Sequence, residues 1–170
     1  MNPDPGPLSR PLPADRLPAR GLDATVEATP AEREGLARDL GLPAIHALVG
    51  TFHVKGDARR LTVTGRVRAS VARTCVVTLD DFDAEVDEEV DVEFTEAVDR
   101  DPPPDEVEIT DDMPDEIVNG RIDLGALTAE FLALGLDPYP KKPGVAFEST
   151  AGQDEDDSPF AKLKGLRGDG

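Results

Sequence analysis

Leu61-Thr62-Val63-Thr64-Gly65-Arg66-Val67-Arg68-Ala69-Ser70-Val71 sets a small or apolar residue at each odd position and Thr, Arg or Ser at each even one. Such alternation marks a strand with one face in a core and the other in solvent. A second run, Phe82 to Phe94, repeats the pattern with the opposite charge. Phe82, Ala84, Val86, Val90, Val92 and Phe94 share one parity, and Asp83, Glu85, Asp87, Glu89, Asp91 and Glu93 share the other. Glu88 interrupts the apolar row, which predicts a bulge or an exposed edge there. If the two runs are neighbours in a meander, the outward acids lie near Arg66 and Arg68. Cross-strand pairs of that kind are worth about 0.2–1 kcal/mol each, enough to pin register but not to carry the fold.

Upstream of this pair, Leu48–Val54 reads as a strand closed by a Gly56-Asp57 turn, and residues 22–28 read as a shorter one. Between them Thr29, Pro30 and Glu32 spell a helix start with a capping box, Leu36 and Leu40 share a face, and Gly41 and Pro43 end the helix. Downstream, Val76, Val77 and Leu79 continue in extended form to a turn at Asp80-Asp81. Pro102-Pro103-Pro104 breaks the sheet, Val107–Thr110 offers one more short strand, and residues 111–116 read as an acidic loop. Asp123 is a good N-cap for a second helix carrying Leu124, Leu127, Phe131 and Leu134, ended by Gly135 and Pro138. The expected architecture is α+β: an antiparallel β-meander, open or curled toward a partial barrel, with two packed helices and disordered termini. Residues 1–21 form the Pro-rich disordered tail and 22–137 the folded domain. Residues 138–170 form an extended acidic tail ending in a short amphipathic segment, where Phe160, Leu163 and Leu166 alternate with Lys162, Lys164 and Arg167.

The formal net charge is −18, and it is polarised. Of the 36 acids, 19 lie between Asp80 and Glu116 beside one base, Arg100, whereas the first 79 residues carry 11 Lys/Arg against 8 acids. An anionic stretch of that length repels phosphate, which disfavours simple coating of nucleic acid by this half, and a basic partner or water is what it is expected to meet. One cysteine, Cys75, leaves no intramolecular disulfide and no multi-thiolate zinc site. No signal-like leader or membrane-length apolar run is present, so a cytoplasmic chain is expected.

No phosphate loop, dinucleotide loop or nucleophile elbow occurs. Cys75 shares parity with Val77 and Leu79 and reads as a small core residue. His46 and His53 read as structural or exposed, and neither a metal, a cofactor nor a small-molecule substrate is indicated. Binding candidates are Arg59, Arg60, Arg66, Arg68 and Arg73 on the early sheet, and Lys141 with Lys142 between prolines. Arg66 and Arg68 point the same way and suit phosphate oxygens, or else balance the neighbouring acids. The candidate partner face on the acidic strand is Asp83, Glu85, Asp87, Glu89, Asp91 and Glu93.

The order Thr64-Gly65-Arg66-Val67-Arg68-Ala69, Arg73–Leu79, Gly120–Leu127, Glu130–Leu134, Pro138–Gly144 and Ser158–Leu163 resembles the YceD family of large ribosomal RNA subunit accumulation proteins over about residues 20–166. The resemblance implies a non-enzymatic factor in synthesis or processing of large-subunit ribosomal RNA, in bacteria and plastids. Many members carry a CxxC-like pair near the position of Cys75 and a later Cys cluster. Here Val76-Val77-Thr78 follows Cys75 and no later Cys exists, so a metal role does not transfer. Two contacts fit: ribosomal RNA on the Arg-bearing face with the acidic face turned away, or a basic ribosomal or assembly protein held on the acidic strand. The second is favoured by net charge. An acidic adaptor unrelated to RNA, and an enzyme with a site around Cys75, are the other readings.

Overall fold

The computed structural model describes residues 6–96 and 114–146. In chain order the elements are β1 (Pro11–Pro13), β2 (Leu22–Glu27), α1 (Pro30–Asp39), β3 (Ala44–Gly56), β4 (Arg60–Thr74), β5 (Asp81–Glu96), β6 (Asp115–Ile117), β7 (Arg121–Asp123) and α2 (Leu124–Leu134). One sheet has the order β2-β3-β4-β5-β6, antiparallel throughout except for the parallel β5/β6 contact, and β1 pairs with β7 in a separate ribbon. This is the expected α+β fold with an antiparallel meander. Among the described residues the sheet does not close into a barrel.

The two alternating runs are direct neighbours, with Leu61 opposite Phe94 and Val71 opposite Ala84. Their inward rows make the centre of the core: Val63, Val67 and Val71 are wholly buried and Val90 nearly so. Each fully buried aliphatic side chain is worth about 1.5–3 kcal/mol, which is why period two in the sequence fixes this register. The glycine in the row, Gly65, is required by close approach, since a Cβ there would sit 2.0 Å from the carbonyl oxygen of Thr51 on β3.

α1 begins as its sequence demands. Thr29 Oγ1 accepts from the Glu32 N–H, and the Glu32 carboxylate accepts from the Thr29 N–H. α2 starts at Asp123, whose carboxylate accepts from the N–H groups of Gly125 (2.8 Å) and Ala126 (3.0 Å). It packs against β3, β4 and β5 through Leu124, Leu127, Thr128 and Leu132. The buried stripe is therefore 124/128/132 with 127, and Leu134, expected on it, is 67% exposed. A spacing of 3.6 carries the face from 124 to 128 to 132 and leaves 134 off it.

Four further expectations change. Glu88 makes no bulge, because the β4/β5 ladder is unbroken from Arg60 to Thr74 and Glu88 lies opposite Val67. Of the two outcomes expected there the edge is the one found among the described residues, where β6 pairs only with Phe94–Glu96. The register shift in the sheet falls instead between Ile45 and Ala47 of β3. Val76–Thr78 is a turn and not extended chain. The Cys75 N–H donates to the Asp80 carbonyl (2.8 Å) and the Leu79 N–H to the Cys75 carbonyl (2.9 Å), closing the hairpin with Leu79 at φ 62. Asp115 and Glu116, expected in a loop, open β6.

The fourth correction concerns the Pro-rich lead. From Gly6 onward it is placed: Leu8 and Ala14 are buried, and Pro11–Pro13 pairs with Arg121–Asp123. Prolines cannot donate to a ladder, but this ribbon has an open edge and lets Leu12 carry the pairing. The Pro102–Pro104 breaker, the Val107–Thr110 strand, the acidic run at 154–157 and the amphipathic segment at 158–167 lie outside the described residues.

Candidate functional site

Pairing β4 with β5 places the two outward rows on one face. Thr62, Thr64, Arg66, Arg68 and Ser70 stand opposite Glu93, Asp91, Glu89, Asp87 and Glu85. The idea of an arginine face with the acids turned away is therefore corrected: antiparallel neighbours with a common inward row have a common outward one. Arg66 and Arg68 both reach Asp87 at 3.4 Å. Arg60 pairs with Glu93. Asp83 pairs with His46 Nε2 at 3.0 Å, a partner that period-two reading missed because His46 sits at the irregular step of β3. Among the described residues Glu85, Glu89 and Asp91 have no ion pair. The face thus has an arginine row partly offset by Asp87 and Glu93 and flanked by a net anionic strand.

The seven candidate cations do not form one patch. Arg66 and Arg68 are central, and with Ala47, Val49 and Thr51 of β3 they line an open depression of about 450 Å³. Arg59 and Arg60 lie at the β3–β4 turn, where the Asp57 carboxylate accepts from both backbone N–H groups and is held below its usual value, the Arg59 N–H contributing most. Arg73 has the inward parity of Val71, and its guanidinium donates to the Asp137 carbonyl at the end of α2. Lys141 and Lys142 are exposed at that same end.

Cys75 is buried, as expected, but parity is not the reason, since Val77 and Leu79, which share it, are exposed. The hairpin turn, and not an extended strand, buries it. The Lys142 N–H donates to its Sγ (3.4 Å), and with Thr78 and Val77 donors it lowers the thiol pKa to about 6. These donors stabilise the thiolate directly. They do not fit a metal: among the described residues no cluster of three His, Cys, Asp or Glu side chains gathers. Neither histidine faces the thiol as a base, since His46 pairs with Asp83 and His53 Nδ1 with Asp23 at 2.7 Å.

A polar lock that the sequence did not reveal joins the lead segment to the domain. Asp123 accepts from the Ser9 hydroxyl and from the Arg10 N–H (2.7 Å) as well as from its own helix. Burial pushes its carboxyl up, but these donors together outweigh burial and leave the pKa lowered. Arg10 also forms a two-pronged pair with Glu32 (2.8 and 3.0 Å), which, with the Thr29 N–H, lowers that carboxyl to about 2. No helix among the described residues is long and apolar enough to cross a membrane.

A family model described as "Large ribosomal RNA subunit accumulation protein YceD" matches residues 63–167. The match takes in β4 from Val63, all of β5, β6, β7 and α2, and the segment beyond them. No curated protein and no solved structure gives a significant match.

Proposed function

The chain belongs to the YceD family of large ribosomal RNA subunit accumulation proteins, and from that premise we propose that it is a non-enzymatic ribosome-assembly factor that holds a basic ribosomal or assembly protein on β5. The contact surface is the outward row Asp83, Glu85, Asp87, Glu89, Asp91 and Glu93. One observation carries this reading. Arg66 and Arg68 share Asp87 and Arg60 is paired with Glu93, while Glu85, Glu89 and Asp91 beside them have no ion pair among the described residues. A net charge of −18 repels RNA at long range and steers a basic protein in, with an on-rate that falls as salt rises. Holding such a protein before it meets ribosomal RNA keeps its cationic surface from non-specific contacts. The factor works in the cytoplasm, where ribosomes assemble.

A second reading, direct contact with large-subunit RNA, is favoured by the depression beside Arg66 and Arg68, whose side chains are 45% and 67% exposed. Recovery of tagged protein from lysate, with and without nuclease and at low and high salt, separates the two. Nuclease-resistant, salt-sensitive recovery of a basic ribosomal protein supports the first. Nuclease-sensitive recovery of large-subunit RNA in its place overturns it.

A further inference from the structure

The hairpin tip between β4 and β5 and the end of α2 leave apolar surface uncovered. Leu79 is 77% exposed, Tyr139 72% and Leu134 67%, with Val76 at 47%. The tip and the 139–142 segment are tied together, since the Val76 N–H donates to the Pro140 carbonyl (2.9 Å) and the Lys142 N–H to Cys75 Sγ. Beside them runs a groove of about 190 Å³ floored by Val71, Phe82, Ala84 and Val86 and closed by Leu136 and Pro140. A groove of this size takes one large side chain.

Leu79 adds a second observation. At φ 62 a bulky side chain is strained, and Gly or Asn would sit there without cost. A strained, exposed leucine marks a surface kept for contact.

We propose that the segment Ser158–Arg167 of this same chain covers the groove and the tip, its Phe160, Leu163 and Leu166 turned inward. The segment carries Lys162, Lys164 and Arg167 and no acid. The groove's lining is mixed in charge, Glu85 and Asp137 with Arg73 and Lys141, and Glu88 packs beside it against Gly135, so apolar contact and not net charge carries the docking. The tether is suited: the described chain leaves this end at Ala146, and residues 147–157 reach up to about 36 Å when extended. A linker of that length holds the segment at a local concentration on the order of millimolar, so weak docking suffices. The family match running to residue 167 places the segment within the common unit and not in an appendage. Of the acidic β5 row only Glu85 reaches this groove, and the rest of the row stays free for a partner, so this docking stands or falls apart from the partner's identity.

Hydrogen exchange tests it on four proteins: the intact chain, a chain ending at Asp157, the full-length triple variant F160A/L163A/L166A, and Leu134→Glu, which alters the exposed lip without touching the core. Docking predicts that amides at Val76–Leu79 and Gly135–Lys142 exchange roughly tenfold faster in all three altered proteins than in the intact chain. Adding a peptide of residues 153–170 at millimolar concentration to the shortened chain restores protection. Equal exchange in all four overturns the proposal. So does protection that falls on dilution, which assigns the groove to a second copy, or protection seen only when a basic protein or RNA is added.

Discussion

Replacing Asp123 with alanine removes the α2 cap and the anchor of the lead segment together. The carboxylate accepts four hydrogen bonds, from Gly125, Ala126, Arg10 and Ser9. Loss of an N-cap costs about 0.5–2 kcal/mol. Bonds to a charged acceptor contribute roughly 1.5–3 kcal/mol each. Release of the strap around Pro11–Pro13 returns chain entropy, which offsets part of this. The net expectation is a loss of about 3–5 kcal/mol, a large share of the roughly 5–15 kcal/mol that stabilises a typical domain. In thermal melts that corresponds to a fall in Tm of roughly 10–15 °C. Urea unfolding gives the free energy, and exchange at Leu12 and Ala14 reports the strap. Asp123→Asn keeps a capping oxygen and should recover much of the loss. The pH dependence has a fixed sign. The folded pKa is lowered, so the stabilisation is fully present above the ordinary value of 3.8 and is lost as pH falls through the folded one. The gap between wild type and Asp123→Ala should close in acid. A cost within about 0.5 kcal/mol at neutral pH, or unchanged exchange at Leu12, refutes the lock.

Glu32→Ala breaks both the α1 capping box and the Arg10 pair, and should cost about 1–2 kcal/mol in urea unfolding at neutral pH. Because Glu32 is lowered from 4.5 to about 2, its contribution should fade as pH falls across that window. In a chain ending at Asp157, where the tail cannot cover the tip, Leu79→Asn relieves the positive-φ strain and should raise stability by roughly 0.5–1 kcal/mol by the same measurement. Cys75 has a folded pKa of about 6 against 9.0 for the free thiol, so wild-type stability should rise with pH between those values, and Cys75→Ser should lose that slope. Gly65→Ala forces a Cβ onto the Thr51 carbonyl and should leave little folded protein by circular dichroism.

The β4/β5 ribbon was legible because both strands have one face in the core, and burial punishes any register slip by one residue. The caps at Thr29 and Asp123 were legible because side chain and backbone satisfy each other locally. What stayed hidden depends on distant partners. Leu12 pairs with Ile122 across most of the chain, and three-residue strands such as β1, β6 and β7 are too short to have a period. Cys75 was assigned to the core by parity, yet a hairpin turn and the Lys142 N–H are what bury it. In the candidate site, the membership of the acidic row was readable from alternation. Its position on the same face as Arg66 and Arg68 required the strand order, and the His46–Asp83 contact required the β3 irregularity.

The most direct measurement compares two charge variants for recovery of a basic ribosomal protein from nuclease-treated lysate. Glu85→Gln/Glu89→Gln/Asp91→Asn neutralises the acids that have no ion pair among the described residues, and Arg66→Gln/Arg68→Gln removes the arginines that mask Asp87. Binding on the β5 row predicts that the first variant loses recovery and the second keeps or increases it. Recovery that survives loss of the three acids and disappears with the two arginines would contradict it and point to RNA.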